Sequence, residues 1–184
     1  DKLLEMFELR LIRGEVHREE EWQEYIQDFR LRSWNCFATV VLVLDLSDEE
    51  IQSNVKEDVI CLTLVQEMPD YIKENAWMPP IYNSCTICTI FAENDEDTLL
   101  MKIRKYYAQM QEYAEKVTGY RLLCGVSSNH IDRRHIQGAY RESIKALTYP
   151  MVSRDEWGDT VDKEIANCNF YLASTTIHAS GDYD

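Results

Sequence analysis

Positive charge is what this chain has least of. It sets 19 lysines and arginines against 33 aspartates and glutamates, a formal net charge of −14. A surface that acidic repels a phosphate backbone, so direct nucleic-acid binding by this segment is not expected. Long apolar runs are missing as well. No stretch approaches the roughly 18 residues of a membrane helix, and the best one, CFATVVLVLDL from Cys36, is β-branched and reads as a buried strand. A secretory leader pattern is absent. The sequence opens on Asp1 rather than methionine, which reads as a piece of a longer protein. With 6 glycines and 4 prolines there is no low-complexity tract, and no internal repeat stands out. The 45% hydrophobic and 28% charged content is that of an ordinary globular domain, and 184 residues suffice for one domain with a sizeable core.

Metal and nucleophile patterns are thin. Of 6 cysteines, Cys85 and Cys88 have the C-x-x-C spacing, but no second pair follows. Both fall in a β-reading run, where residues three apart point to opposite faces. The cysteines therefore read as reduced core or surface thiols, which suits a cytoplasmic compartment. His17, His130, His135 and His178 are scattered without metal spacing. Asp132 and His135 read as a solvated first helical turn. Ser127-Ser128-Asn129 lacks the G-x-S-x-G elbow of a hydrolase. No catalytic, cofactor-binding or metal-binding residue is assigned, and no cofactor is expected.

What is present is periodicity. Helices are expected over 1–13, with Leu4, Phe7 and Leu11 on one face and Gly14 as the stop, and over 19–29, with Trp22, Ile26 and Phe29. The run 37–46 is apolar on both faces and predicts a central strand covered by helices. A helix is expected from about Asn54 to Met68, ended by Pro69, with a further turn at 70–73. Residues 76–94 read as a β-hairpin turning within PPIYNS, since the double proline excludes a regular ladder there. A long helix over 97–117 follows, bounded by Asp97 and Gly119, with Leu99, Ile103, Tyr106, Met110, Tyr113 and Val117 on its stripe. Then come a strand over 120–126, a helix over 132–148, an irregular connection over 149–167 and a short strand over 168–173. The sheet core should run through Val41, Val43, Leu122, Cys124 and Phe170, with Ile103, Met110, Tyr140 and Leu147 packed on it.

The most distinctive block is YRLLCGVSSNHIDRRHIQGAYRESIKAL, from Tyr120 to Leu147. Leu122, Cys124 and Val126 share one strand face and Leu123 takes the other. Gly-Val-Ser followed some dozen residues on by Ala-Tyr-Arg-Glu-Ser-Ile-Lys-Ala-Leu resembles the central cytoplasmic region of AraC-type transcriptional regulators, a degenerate relative of the GGDEF diguanylate cyclase domain. The resemblance covers roughly Leu9 to Ala173, most of it in element order alone. It implies an α+β fold: a GGDEF-like palm whose mostly antiparallel five-stranded sheet has helices on both faces, preceded by two N-terminal helices. The implied organisation is linker helices over 1–33, a palm over 34–174 and a disordered tail over 175–184.

The resemblance also implies what the palm cannot do. Active cyclases hold GTP through metal-binding acids and a hairpin with paired glycines. Here the hairpin reads PPIYNSC, without glycine or carboxylate, and only Asp45 stands where a metal ligand would. The expectation is a non-catalytic, signal-transmitting domain of a bacterial transcriptional regulator, DNA being reached only through a helix-turn-helix domain outside this sequence. An upstream transmembrane sensor belongs to the same picture. The alternative is a nucleotide-sensing domain that uses the degenerate palm cleft near Asp45. Leu4, Phe7 and Leu11 have two readings. Either they pack on the domain that follows, or they pair with a second copy as the seam of a weak homodimer.

Overall fold

The computed structural model describes residues 2–153 and 170–172. The order is α1 (Lys2–Ile12), α2 (Glu19–Asp28), β1 (Cys36–Asp45), α3 (Asp48–Gln52), α4 (Glu57–Gln66), α5 (Asp70–Lys73), β2 (Met78–Asn83), β3 (Thr86–Glu93), α6 (Glu96–Thr118), β4 (Arg121–Val126), a 3₁₀ turn (Arg133–His135), α7 (Ile136–Ser153) and β5 (Phe170–Leu172). It is an α+β fold built on a four-stranded antiparallel sheet, β2-β3-β1-β4, and the three residues of β5 pair parallel with the outer edge of β4. Each of β1 and β4 joins a hairpin strand from which one strand separates it, so the core is a double split β-α-β unit.

The alternation of β1 sorts the molecule into layers. Ala38, Val40, Leu42 and Leu44 face one side, where α4, α5 and α6 supply Cys61, Leu64, Ile72, Leu99, Ile103, Tyr106 and Met110. Phe37 and Val41 face the other, where α1, α2 and α7 supply Phe7, Leu11, Trp22, Ile136, Ala139 and Leu147. Apolar residues on both faces are the signature of a strand covered twice. Leu122, Cys124 and Val126 fall on the first side and Leu123 on the second, as their period of two predicts.

Gly125 fixes how closely α7 lies on the sheet. A Cβ there would stand 2.2 Å from the Ser143 carbonyl oxygen and 2.7 Å from Leu147 Cγ. The glycine lets the helix backbone rest directly on β4. Beneath it, the buried hydroxyls of Ser143 and Thr39 lie 3.1 Å apart, tying α7 to β1. On α6, Asp95 accepts from the Thr98 amide at 2.8 Å, and Gly119 closes the helix with φ 77° and its amide on the Glu115 carbonyl.

Several expectations are corrected. The hairpin turns at Ser84–Cys85, both at positive φ (49° and 63°), at the very end of the stretch expected to hold the turn, so β2 reaches further than expected. Pro79 and Pro80 lie inside β2, which tolerates them because it is an edge strand whose register with β3 shifts between Met78 and Ile81. The helix expected from Asn54 begins at Glu57, and a separate α3 precedes it, closed by a reciprocal Ser47–Glu50 capping box. Val43 is only half-buried, so Val41 and Leu42 mark the strand's core. Val117 is exposed at the end of α6. The expectations for the side chain of Phe170, for 154–167 and for the tail over 175–184 lie outside the described residues.

The N-terminal helices belong to the folded body. Phe7 stacks on Tyr25 of α2 with ring centroids 3.9 Å apart and meets Trp22 edge-on at 5.7 Å. Phe7 and Leu11 are 1% and 3% exposed and Leu4 is partly buried against the same cluster, so of the two readings of this stripe the structure shows it packed on the chain's own core. The physical reason is the apolar second face of the sheet, which a chain without α1 would leave open to water.

Candidate functional site

The sheet end where β1 finishes is the end where the hairpin turns, because Leu42 pairs with Ile87 one residue after β3 begins. Asp45 therefore comes to the same edge as Ser84 and Cys85. Its neighbour in register is Arg121 of β4, a cation beside the one acid at this strand end. Two divalent ions against a triphosphate demand several anionic ligands. Among the described residues, no three His, Cys, Asp or Glu side chains gather in a way that could hold a metal ion.

Just inside this edge a partly buried polar cluster lies between the hairpin and α7. Asn83 Nδ2 donates to the Tyr140 hydroxyl at 3.0 Å, and the Thr86 hydroxyl lies 3.2 Å from Cys88 Sγ. Burial pushes the Cys88 thiol up to about 12, and burial followed by the neighbouring Cys88 pushes Tyr140 up to about 12. Both stay neutral at physiological pH, so Cys88 offers no thiolate for nucleophilic attack. Glu8 of α1 is wholly buried, and neither carboxyl oxygen has a hydrogen-bond partner among the described residues. Burial first, and then Glu5, hold it well above the ordinary carboxyl range, so it is kept as a neutral acid. The cluster packs and hydrogen-bonds; it has no activated group. Cys85 and Cys88 share no site, since one sits in the turn and the other beneath it.

The block 127–142 is likewise structural in its chemistry. Glu142 Oε1 takes the Ser128 amide at 3.0 Å and lies 2.9 Å from His130 Nε2, while the His130 ring stacks on Phe37. Asp132 accepts from the Arg134 amide and side chain, and those bonds hold its carboxyl below the usual range. His135 meets the edge of His130, with centroids 6.0 Å apart, and donates its amide to the Asp132 carbonyl at 2.9 Å, and His17 lies exposed. His178 is outside the described residues.

The feature that the sequence did not announce is at the opposite end of the second face. A cleft of about 590 Å³ opens between α2, the segment 31–34, Trp77 and the loop 131–133. Three of the chain's 4 tryptophans, Trp22, Trp34 and Trp77, line it. Trp34 and Trp77 meet edge to face at 5.8 Å, and the Trp77 indole N–H donates to the Arg32 carbonyl at 3.0 Å. The Arg133 guanidinium lies 4.8 Å over the ring of Trp22 and pairs with Glu19. Gln137 of α7 reaches the Arg13 carbonyl at 3.0 Å. The cleft is thus the seam where the N-terminal helices are fastened to the start of α7. Its tryptophans come from three separate segments, so no local pattern in the sequence brings them together.

Comparison with known protein families, with characterised proteins and with solved structures finds no match to this chain.

Proposed function

We propose that this chain is a non-catalytic relay, a degenerate GGDEF-like palm of an AraC-type transcriptional regulator that couples N-terminal helices to a C-terminal output. The observation that carries the reading is the shared packing of α1, α2 and α7. Phe7, Leu11 and Trp22 from the first two lie in one cluster with Ile136 and Ala139 of the third, and Glu19–Arg133 and Gln137–Arg13 fasten the seam. A displacement of the N-terminal helices cannot leave α7 in place, because close-packed interiors respond by discrete repacking rather than by continuous deformation. The element order with its split β-α-β sheet supports a palm-like reading, and the sheet edge where the hairpin turns carries Ser84, Cys85 and Asp45 beside Arg121.

In this proposal DNA is reached through a helix-turn-helix domain downstream, a transmembrane sensor lies upstream, and the relay is cytoplasmic. Homodimerisation belongs to it through surfaces other than Phe7 and Leu11. The direct test is the reading frame of the full gene together with its operator binding. A pair of helix-turn-helix motifs after residue 184, and DNA binding by the long protein, is the expected outcome; a frame that ends without them contradicts it. The nucleotide-sensor alternative is tested separately by thermal shift with GTP or a cyclic dinucleotide, where stabilisation would favour it.

A further inference from the structure

We propose that the tryptophan cleft is a binding site for a flat aromatic carboxylate. The walls supply the ring contacts. Trp22 and Trp77 are buried in the walls, Trp34 stands half-buried against Trp77, and Ile131, 78% exposed at the mouth, is an apolar surface that a bound ring would cover. About 590 Å³ lies within the range of small-molecule pockets and accommodates two fused rings with an acid group.

The rim supplies the sign of the charge. Three of the lining residues are charged, Arg32, Arg133 and Asp132, one more cation than acid, and Arg32 shares the Glu93 carboxylate outside the lining with Lys102. The other charges at the cleft are matched: Arg133 by Glu19, and Asp132 by Arg134. A lining with more cation than acid beside three indoles, in a chain of net charge −14, favours an anionic ring and disfavours an ammonium compound, since the acid of the lining, Asp132, is already paired by Arg134. The inference concerns binding alone and stands whether or not the chain is a regulatory relay.

The test uses the ¹⁵N-labelled chain and its indole N–H resonances, assigned with Trp34→Phe. Three probes share one ring system: 2-naphthoate, 2-naphthylmethanol and 2-naphthylmethylammonium. Naphthoate should shift the resonances of Trp22, Trp34 and Trp77 together, bind about twofold to fivefold tighter than the alcohol, as a half-exposed ion pair allows, and outbind the ammonium. Arg32→Gln should bring naphthoate down to the alcohol's affinity. This variant should keep the fold, since Glu93 retains Lys102 and the Trp77 indole bonds the backbone of residue 32 and not its side chain. Its unchanged backbone spectrum is the check. No indole shift at millimolar naphthoate would overturn the site. An ammonium bound as tightly as the acid, or an unaltered preference in Arg32→Gln, would overturn its assignment to carboxylates.

Discussion

At the scale of single residues, three positions make sharp predictions. Gly125→Ala places a methyl group against the Ser143 carbonyl and Leu147, so it should destabilise the fold by about 1–3 kcal/mol as overpacking does, read as a lower urea midpoint. Glu8 is a buried neutral acid, so its folded pKa lies above its unfolded one. The native state then binds the extra proton, and this residue's contribution to stability declines as pH rises from about 4, where an unfolded glutamate titrates. Glu8→Gln should remove that decline, so its advantage over the wild type in denaturant titrations should grow from pH 4 to pH 8. A difference that stays flat with pH would mean the carboxyl is solvated. Among the described cysteines, Cys36, Cys61, Cys88 and Cys124 are buried and only Cys85 is partly open, so mild iodoacetamide treatment followed by peptide mapping should find Cys85 modified first. Strand-face residues such as Leu122 and Leu123 were legible in the sequence because a period of two admits one arrangement. Glu8 was not, because a glutamate on an amphipathic helix reads as solvated until a second apolar face covers it.

At the scale of elements, the legible ones were those with long periodic stripes and local stop signals, such as α6 between Asp95 and Gly119. The misread ones were decided by neighbours. Pro79 and Pro80 argue against a strand, yet edge position and a register shift leave them in β2. The short α3, opened by the Ser47–Glu50 capping box, was missed because its five residues, 48–52, offer no period to read. For α1 the stripe was read correctly and its partner remained open: Leu4, Phe7 and Leu11 fit a second copy as well as the chain's own sheet. Their burial changes what a mutation should do. Phe7→Glu puts an unpaired charge among Trp22, Tyr25 and Phe29, and should cost about 3–5 kcal/mol of folding stability rather than loosen a dimer. A variant with wild-type melting and altered sedimentation would reverse that conclusion.

At the scale of the whole molecule, charge and topology carry the reading. A net charge of −14 should keep this segment off DNA, and an anisotropy titration showing micromolar affinity at physiological salt would contradict it. The candidate site was the least legible part. The absence of hairpin glycines pointed away from nucleotide turnover, whereas the tryptophan cleft exists only once α2, Trp34 and Trp77 are brought together by the fold. The central claim is that the N-terminal helices and α7 act as one packed unit on one face of the sheet. Hydrogen exchange on the wild type and Leu11→Ala tests it most directly, because that cavity loosens α1 by about 2–5 kcal/mol without adding charge. The account predicts faster exchange through Ile136–Leu147 of α7, with Leu99–Ala114 of α6 across the sheet unchanged. An α7 that keeps its wild-type protection, or a loss spread evenly over both faces, would contradict it.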